Sequence, residues 1–123
     1  MNVMIVDDVK SNRILLERFI RRRFDCDIIT AESGKEALDI LPSHTPDVIM
    51  LDWFMPQMNG PEFVQILRSK NEWKKIPVII ISAKDEKTAL ADIASLDISG
   101  YMPKPFSAED VERILTTVIN RVQ

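Results

Sequence analysis

The 123-residue chain has the length of one ordinary domain, with 46% hydrophobic and 28% charged residues and a formal net charge of −3. That charge argues against a dedicated nucleic-acid binder, the lone cysteine (Cys26) excludes an internal disulfide and fits a reducing compartment, and the lone histidine (His44) excludes a His-rich metal site. No apolar run approaches the ~20 residues of a membrane span, and acids from Asp7 onward break any signal-peptide pattern, so a cytoplasmic protein is expected.

Along the chain, short runs rich in Val, Ile and Met alternate with helical patterns. Asn2–Val6 reads as a buried strand, and Asp7 and Asp8 follow it at once. Ser11–Arg23 carries Ile14, Leu15, Phe19 and Ile20 on one helical stripe and ends in three arginines, where positive charge suits the helix dipole. Asp27–Thr30 is the second strand. Ser33-Gly34-Lys35-Glu36 then reads as a capping box before Ala37, Leu38 and Leu41. Val48–Leu51 is the third strand and runs into Asp52. Asn59-Gly60-Pro61-Glu62 opens a helix with Phe63, Ile66 and Leu67 inward, and Pro61 suits a first turn, where its missing N–H costs nothing. Val78–Ser82 is the fourth strand, Asp85–Leu96 a weaker helix rich in Ala and charges, and Ser99–Met102 a weaker strand placed by the alternation. Ser107 caps the last helix, in which Val111, Ile114, Leu115, Val118 and Ile119 recur at helical spacing. Near-continuous apolar strands are the mark of a parallel sheet covered on both faces. The pattern predicts one α/β domain over residues 1–123, a doubly wound five-stranded parallel sheet with five helices.

Ligands of such sheets bind outside the carboxyl ends of the strands. That rule gathers Asp7 and Asp8, Asp52, Ser82 and Lys104 at one rim. Carboxylates side by side disfavour one another's ionisation, so a divalent cation is expected among them. Hard oxygen ligands of this kind suit Mg²⁺. A nucleotide-binding version of the fold is disfavoured, because the chain has no GxGxxG and no GKS or GKT, and "DDVKSN" after the first strand would repel a phosphate. A carboxylate beside Mg²⁺ can instead attack phosphorus and become an acyl phosphate, with a lysine and a hydroxyl gripping other phosphoryl oxygens. Chemistry alone does not say which of the three acids would be the nucleophile. Each residue also has an ordinary reading: Asp7-Asp8 a turn, Asp52 and Ser82 polar strand ends, Lys104 a solvated lysine, Tyr101 a half-buried strand aromatic.

The motifs "VDD" at 6–8, "LDWFMPQMNG" at 51–60, "ISA" at 81–83 and "GYMPKPF" at 100–106 occur in order with no obvious insertion. In them the chain resembles the receiver domain of two-component response regulators, in particular the single-domain chemotaxis type. The strand order 2-1-3-4-5 of this flavodoxin/CheY-like arrangement is carried over from that family rather than read from the residues. The resemblance implies that Asp52 is the phosphoacceptor and that Lys104 and Ser82 complete the catalytic set. It further implies that Mg²⁺ is held by Asp8 directly, by Asp7 largely through water, by Asp52, and by the backbone carbonyl of Phe54. Ser82 and Tyr101 would form the switch pair, acting through the face made by the fourth helix, fifth strand and fifth helix. The donor would be a histidine kinase or phosphotransfer protein, and an output protein would receive the signal. The domain would act as a monomer with no direct nucleic-acid contact. A switch that phosphorylates and dephosphorylates itself has no external turnover substrate. The Lys104–Pro105 bond is a candidate cis peptide by the same resemblance.

Some positions depart from the common pattern. Residue 82 is Ser where Thr is frequent, Asn59 replaces a frequent Asp, and Phe54 and Lys84 occupy positions expected to tune phosphoryl lifetime. Trp53 is either a packing residue or a fluorescent reporter beside the site. Alternatives to the switch are a phosphorylation-independent interaction module on the same fold, or a receiver fragment of a longer regulator. An aspartyl-phosphate phosphatase would carry DxD after the first strand, which "VDDVK" lacks.

Overall fold

The structure, a computed structural model, describes residues 1–83 and 97–122. The predicted helix Asp85–Leu96 and Lys84 lie outside the described residues. In chain order the elements are β1 (Asn2–Val6), α1 (Lys10–Arg23), β2 (Asp27–Ala31), α2 (Gly34–Ile40), β3 (Val48–Asp52), α3 (Gly60–Ser69), β4 (Val78–Ala83), β5 (Gly100–Lys104) and α4 (Ala108–Val122). The strands form one parallel sheet in the order β2-β1-β3-β4-β5. The register pairs Val6 with both Ala31 and Leu51, Asp52 with Ile81, and Ala83 with Lys104, so the carboxyl ends of all five strands share one rim.

Side-chain alternation along the strands divides the core in two. Met4, Val6, Ile49, Leu51 and Ile80 pack on one face with Ala37 and Leu41 and with Phe63, Val64 and Leu67 of α3. Val3, Ile5, Val48, Met50, Ile79 and Ile81 pack on the other with Leu16 and Ile20 of α1 and Val111, Leu115 and Val118 of α4. Each fully buried Val, Leu or Ile contributes about 1.5–3 kcal/mol of transfer free energy, which locks a register that a one-residue slip would invert. Among the described residues no helix is long and apolar enough to cross a membrane.

The ends of elements differ in places from the sequence expectation. β5 runs through Pro103 to Lys104 rather than over Ser99–Met102. It is an edge strand paired only with β4, so the missing N–H of Pro103 interrupts no ladder on its open side. Asp52 is the last residue of β3 rather than the first beyond it, and its Cα pairs with that of Ile81. At Ser33 the cap is the serine half of the expected box, Oγ accepting from the Glu36 N–H at 3.1 Å. The complete box stands at α3, where Asn59 Oδ1 accepts from Glu62 N–H at 3.0 Å and Glu62 Oε1 accepts from Asn59 N–H at 3.2 Å. Ser107 and Asp110 cap α4 reciprocally at 3.1 and 2.9 Å. The Lys104–Pro105 peptide is cis.

Gly60 ties this scaffold to the rim. A Cβ there would lie 2.3 Å from Cε3 of Trp53 and 2.9 Å from its Cα. Only glycine lets α3 start flush against the buried indole that follows Asp52.

Candidate functional site

Asp7 is held on three sides. Its N–H donates to the Ala31 carbonyl at 3.1 Å, continuing the β1–β2 ladder one residue past the strand. Its Oδ1 accepts from the Val9 N–H at 2.8 Å, which closes the turn into α1. Its carbonyl accepts from Arg13 Nη1 at 2.7 Å. The remaining oxygen, Oδ2, is buried without a hydrogen-bond donor, and the Lys104 ammonium stands 4.0 Å from it. Asp8 lies in the bend between β1 and α1 and is exposed. Asp52 is 3% exposed, and its Oδ1 accepts from Lys104 Nζ at 3.2 Å and from the Phe54 N–H at 3.4 Å. Asp7, Asp8 and Asp52 each offer a carboxylate oxygen within 4.8 Å of the others.

The electrostatics follow from that geometry. Burial pushes the Asp52 carboxyl up from 3.8 to about 6; the neighbouring Asp7 charge adds to the rise, and Lys104 and the Phe54 N–H oppose it. Asp7 is also raised, first by burial, against the pull of the Val9 N–H, Lys104 and the Asn12 side chain, with Asp8 adding to the rise. Among the described residues two buried acids thus face one ammonium, and one of their oxygens has no hydrogen-bond donor. An all-oxygen donor set with an unsatisfied buried carboxylate oxygen fits a hard divalent cation.

Ser82 and Tyr101 lie on the α3 face of the sheet. Ser82 is buried at the end of β4 and follows Ile80 by two residues, so both project to that side. Tyr101 pairs with Ile80 across the ladder and packs on the same core, which makes it the diagonal neighbour of Ser82. Its hydroxyl donates to the Ala83 carbonyl at 3.3 Å and not to the acids. Phe54 is 52% exposed beside the acids, an open apolar ring at the mouth of the site. Trp53 is buried in the core on the α3 face.

Other sequence candidates take no part in the rim. His44 is exposed, and Cys26 is half-buried against the α1–α4 side of the core. Arg21 and Arg23 pair with Glu17 and Glu112 at the solvated end of α1, each at 3.3 Å. One residue was missed by pattern reading: Arg13, an ordinary polar position of α1, reaches back to Asp7 and to Glu32. A charged residue six positions after the first acid was the only signal for it.

The response regulator receiver domain family matches the chain over residues 3–116. The chemotaxis protein CheY of Pseudomonas aeruginosa is 28% identical over 122 residues, covering 99% of this chain and 98% of that protein. The chemotaxis protein CheY1 of Helicobacter pylori is 30% identical over 120 residues, 97% of each. The structure of the Vibrio cholerae chemotaxis protein CheY4 superposes with a TM-score of 0.88 at 28% identity, covering 95% of this chain and 97% of that one. Receiver domains are signalling switches rather than classical enzymes, and by sequence and fold together this chain belongs to the response regulator receiver domain family, with a CheY-like sheet.

Proposed function

We propose that the chain is the receiver of a two-component phosphorelay, that Asp52 accepts the phosphoryl group, and that Asp7, Asp8, Asp52 and the Phe54 carbonyl hold Mg²⁺. The observation that carries this reading is the buried Asp7 Oδ2 without a donor, set in a cluster of three acids within 4.8 Å. When bound, the ion would neutralise charge on the acids and on the incoming phosphoryl group. The protein's own groups do the rest. A carboxylate oxygen of Asp52 forms a bond to phosphorus as the bond to the donor breaks. With a phosphohistidine donor, the imidazole nitrogen leaves with the electron pair and takes a proton. Lys104, already 3.2 Å from Asp52 Oδ1, turns its ammonium to a phosphoryl oxygen. Hydrolysis returns Asp52 by attack of water on phosphorus, and the exposed Phe54, two residues on, is the side chain we assign to shielding that attack.

The switch follows from the same groups. Ser82 moves toward the new phosphoryl oxygens, Tyr101 leaves the Ala83 carbonyl and turns inward, and the face around β5 and α4 changes shape. A shift from 1:99 to 99:1 needs about 5.5 kcal/mol of differential stabilisation. Only contacts made in one state and not the other supply it, and the bond from the Ser82 hydroxyl to a phosphoryl oxygen is the one that forms with the movement.

Donor and receiver of the signal are a histidine kinase or phosphotransfer protein and an output protein. The chemotaxis-named relatives, matched over 97–98% of their lengths, support a single-domain chemotaxis role. We take the protein to act in the cytoplasm as a monomer, without an external turnover substrate. The test is Mg²⁺-dependent labelling by a small acyl phosphate. Labelling is expected in the wild type and absent in Asp52→Asn. An unlabelled wild type overturns the reading in favour of a phosphorylation-independent interaction module.

A further inference from the structure

We infer that Arg13 is a positioning residue for the acidic cluster: it grips the main chain of Asp7 and thereby aims Asp7 Oδ2 at the cation. The inference rests on the reading of Asp7, Asp8 and Asp52 as a Mg²⁺ site. Asp7 has four groups able to hydrogen-bond, and three are occupied: N–H by Ala31 O, Oδ1 by Val9 N–H, and the carbonyl by Arg13 Nη1. Two of these bonds have a backbone partner. The third is the shortest of the set, at 2.7 Å, and is the one supplied by a side chain.

The Arg13 side chain is 11% exposed, so its guanidinium is withdrawn from water and committed to this contact. Its other bond, to Glu32 Oε1, is 3.4 Å long and ends on a carboxylate 71% exposed. A contact of that kind is weak, so the grip on Asp7 is the substantial one. Arg13 sits on the second turn of α1 and Glu32 between β2 and α2, so the guanidinium bridges two loops of the rim across the residue that carries the aimed oxygen.

Groups that orient a metal's ligands cost about 10–100-fold in affinity when removed. Magnesium dissociation constants are therefore measured by calorimetry and by tryptophan emission for the wild type, Arg13→Gln, Arg13→Lys, Glu32→Gln and Ile20→Val. Ile20→Val is a core truncation at the far end of the same helix and controls for lost stability. Arg13→Gln is expected to weaken Mg²⁺ by about tenfold or more. Arg13→Lys is expected to recover affinity, because one donor suffices for the carbonyl. Glu32→Gln and Ile20→Val should match the wild type. A wild type that ignores millimolar Mg²⁺ overturns the cation site and this role with it. A wild type that binds while Arg13→Gln binds equally well overturns the Arg13 role alone, as does an Ile20→Val loss as large as that of Arg13→Gln.

Should Arg13→Gln not fold, Arg13→Lys decides together with the carbonyl ¹³C shift of Asp7. Shift and affinity that move together, or stay together, support the role. Either one moving without the other overturns it.

Discussion

Replacing Asp52 by Asn should stabilise the cation-free protein, and only at higher pH. The Asp52 carboxyl titrates at about 6 in the fold against 3.8 ordinarily, chiefly because of burial and then because of Asp7. The folded state therefore binds this proton more tightly than the unfolded chain does. Below about pH 4 both states hold the proton and the site costs nothing; as pH rises to about 6 the unfolded chain releases it first, and stability falls. Above that the penalty is constant. A displacement of about two pKa units corresponds to about 3 kcal/mol. The attraction of Lys104 at 3.2 Å is already contained in it, since that ammonium pulls the carboxyl down. Asn keeps the shape and the Oδ1 acceptor for Lys104 and the Phe54 N–H, so it removes the charge without opening a cavity. At roughly 2 cal/mol/K of unfolding entropy per residue, the gain at pH 8 approaches about 10 °C in Tm and vanishes toward pH 4. The assay is calorimetric melting of wild type and Asp52→Asn in chelator from pH 4 to 8. With saturating Mg²⁺ the difference should shrink or reverse, because the wild type then gains binding free energy that the variant forgoes. A difference between the two proteins that is independent of pH, or a less stable variant at pH 8, would refute the electrostatic account of the cluster.

Two further perturbations probe the scaffold. Gly60→Ala puts a methyl 2.3 Å from the Trp53 indole and 2.9 Å from its backbone, so it should cost about 1–3 kcal/mol in urea unfolding and shift Trp emission; a variant of wild-type stability would mean that the helix start is not pinned against Trp53. Arg68→Met removes bonds to the carbonyls of Lys74, Ile76 and Asp97 at 3.0, 2.9 and 3.1 Å, and should cost about 1–3 kcal/mol in the same assay. Mg²⁺ affinity should be unchanged there, since these carbonyls lie on the loops that enter β4 and β5, away from the rim.

What the sequence revealed of this molecule follows from where information is local. Strands buried on both faces read as apolar runs, and three helix starts read from their caps, because a strand's two faces and a cap's hydrogen bond involve residues close in sequence. The rim residues were legible for a different reason: a parallel sheet carries every strand's carboxyl end to one side, so Asp7, Asp8, Asp52, Ser82 and Lys104 share one rim whatever the strand order, and the order decides which of them meet. The order itself came from resemblance, because short apolar strands do not by composition name their neighbours. Pro103 hid the end of β5, since an edge strand tolerates a residue that the pattern reads as a stop.

The division of labour between Asp7 and Asp8 depends on a finer fact. Asp7 is the last residue tied to the sheet, and Asp8 falls in the bend that follows. Asp7 continues the ladder through Ala31 and is turned in, and Asp8 is left in water. Two identical side chains thereby stand in different surroundings, one buried with its carboxyl raised and the other exposed. The distinction is set by one backbone hydrogen bond and held by a guanidinium from the next helix. Neither partner is visible from the acids themselves, so it is in the placement of Arg13, rather than in the acidic motif, that this chain's control of its site has to be sought.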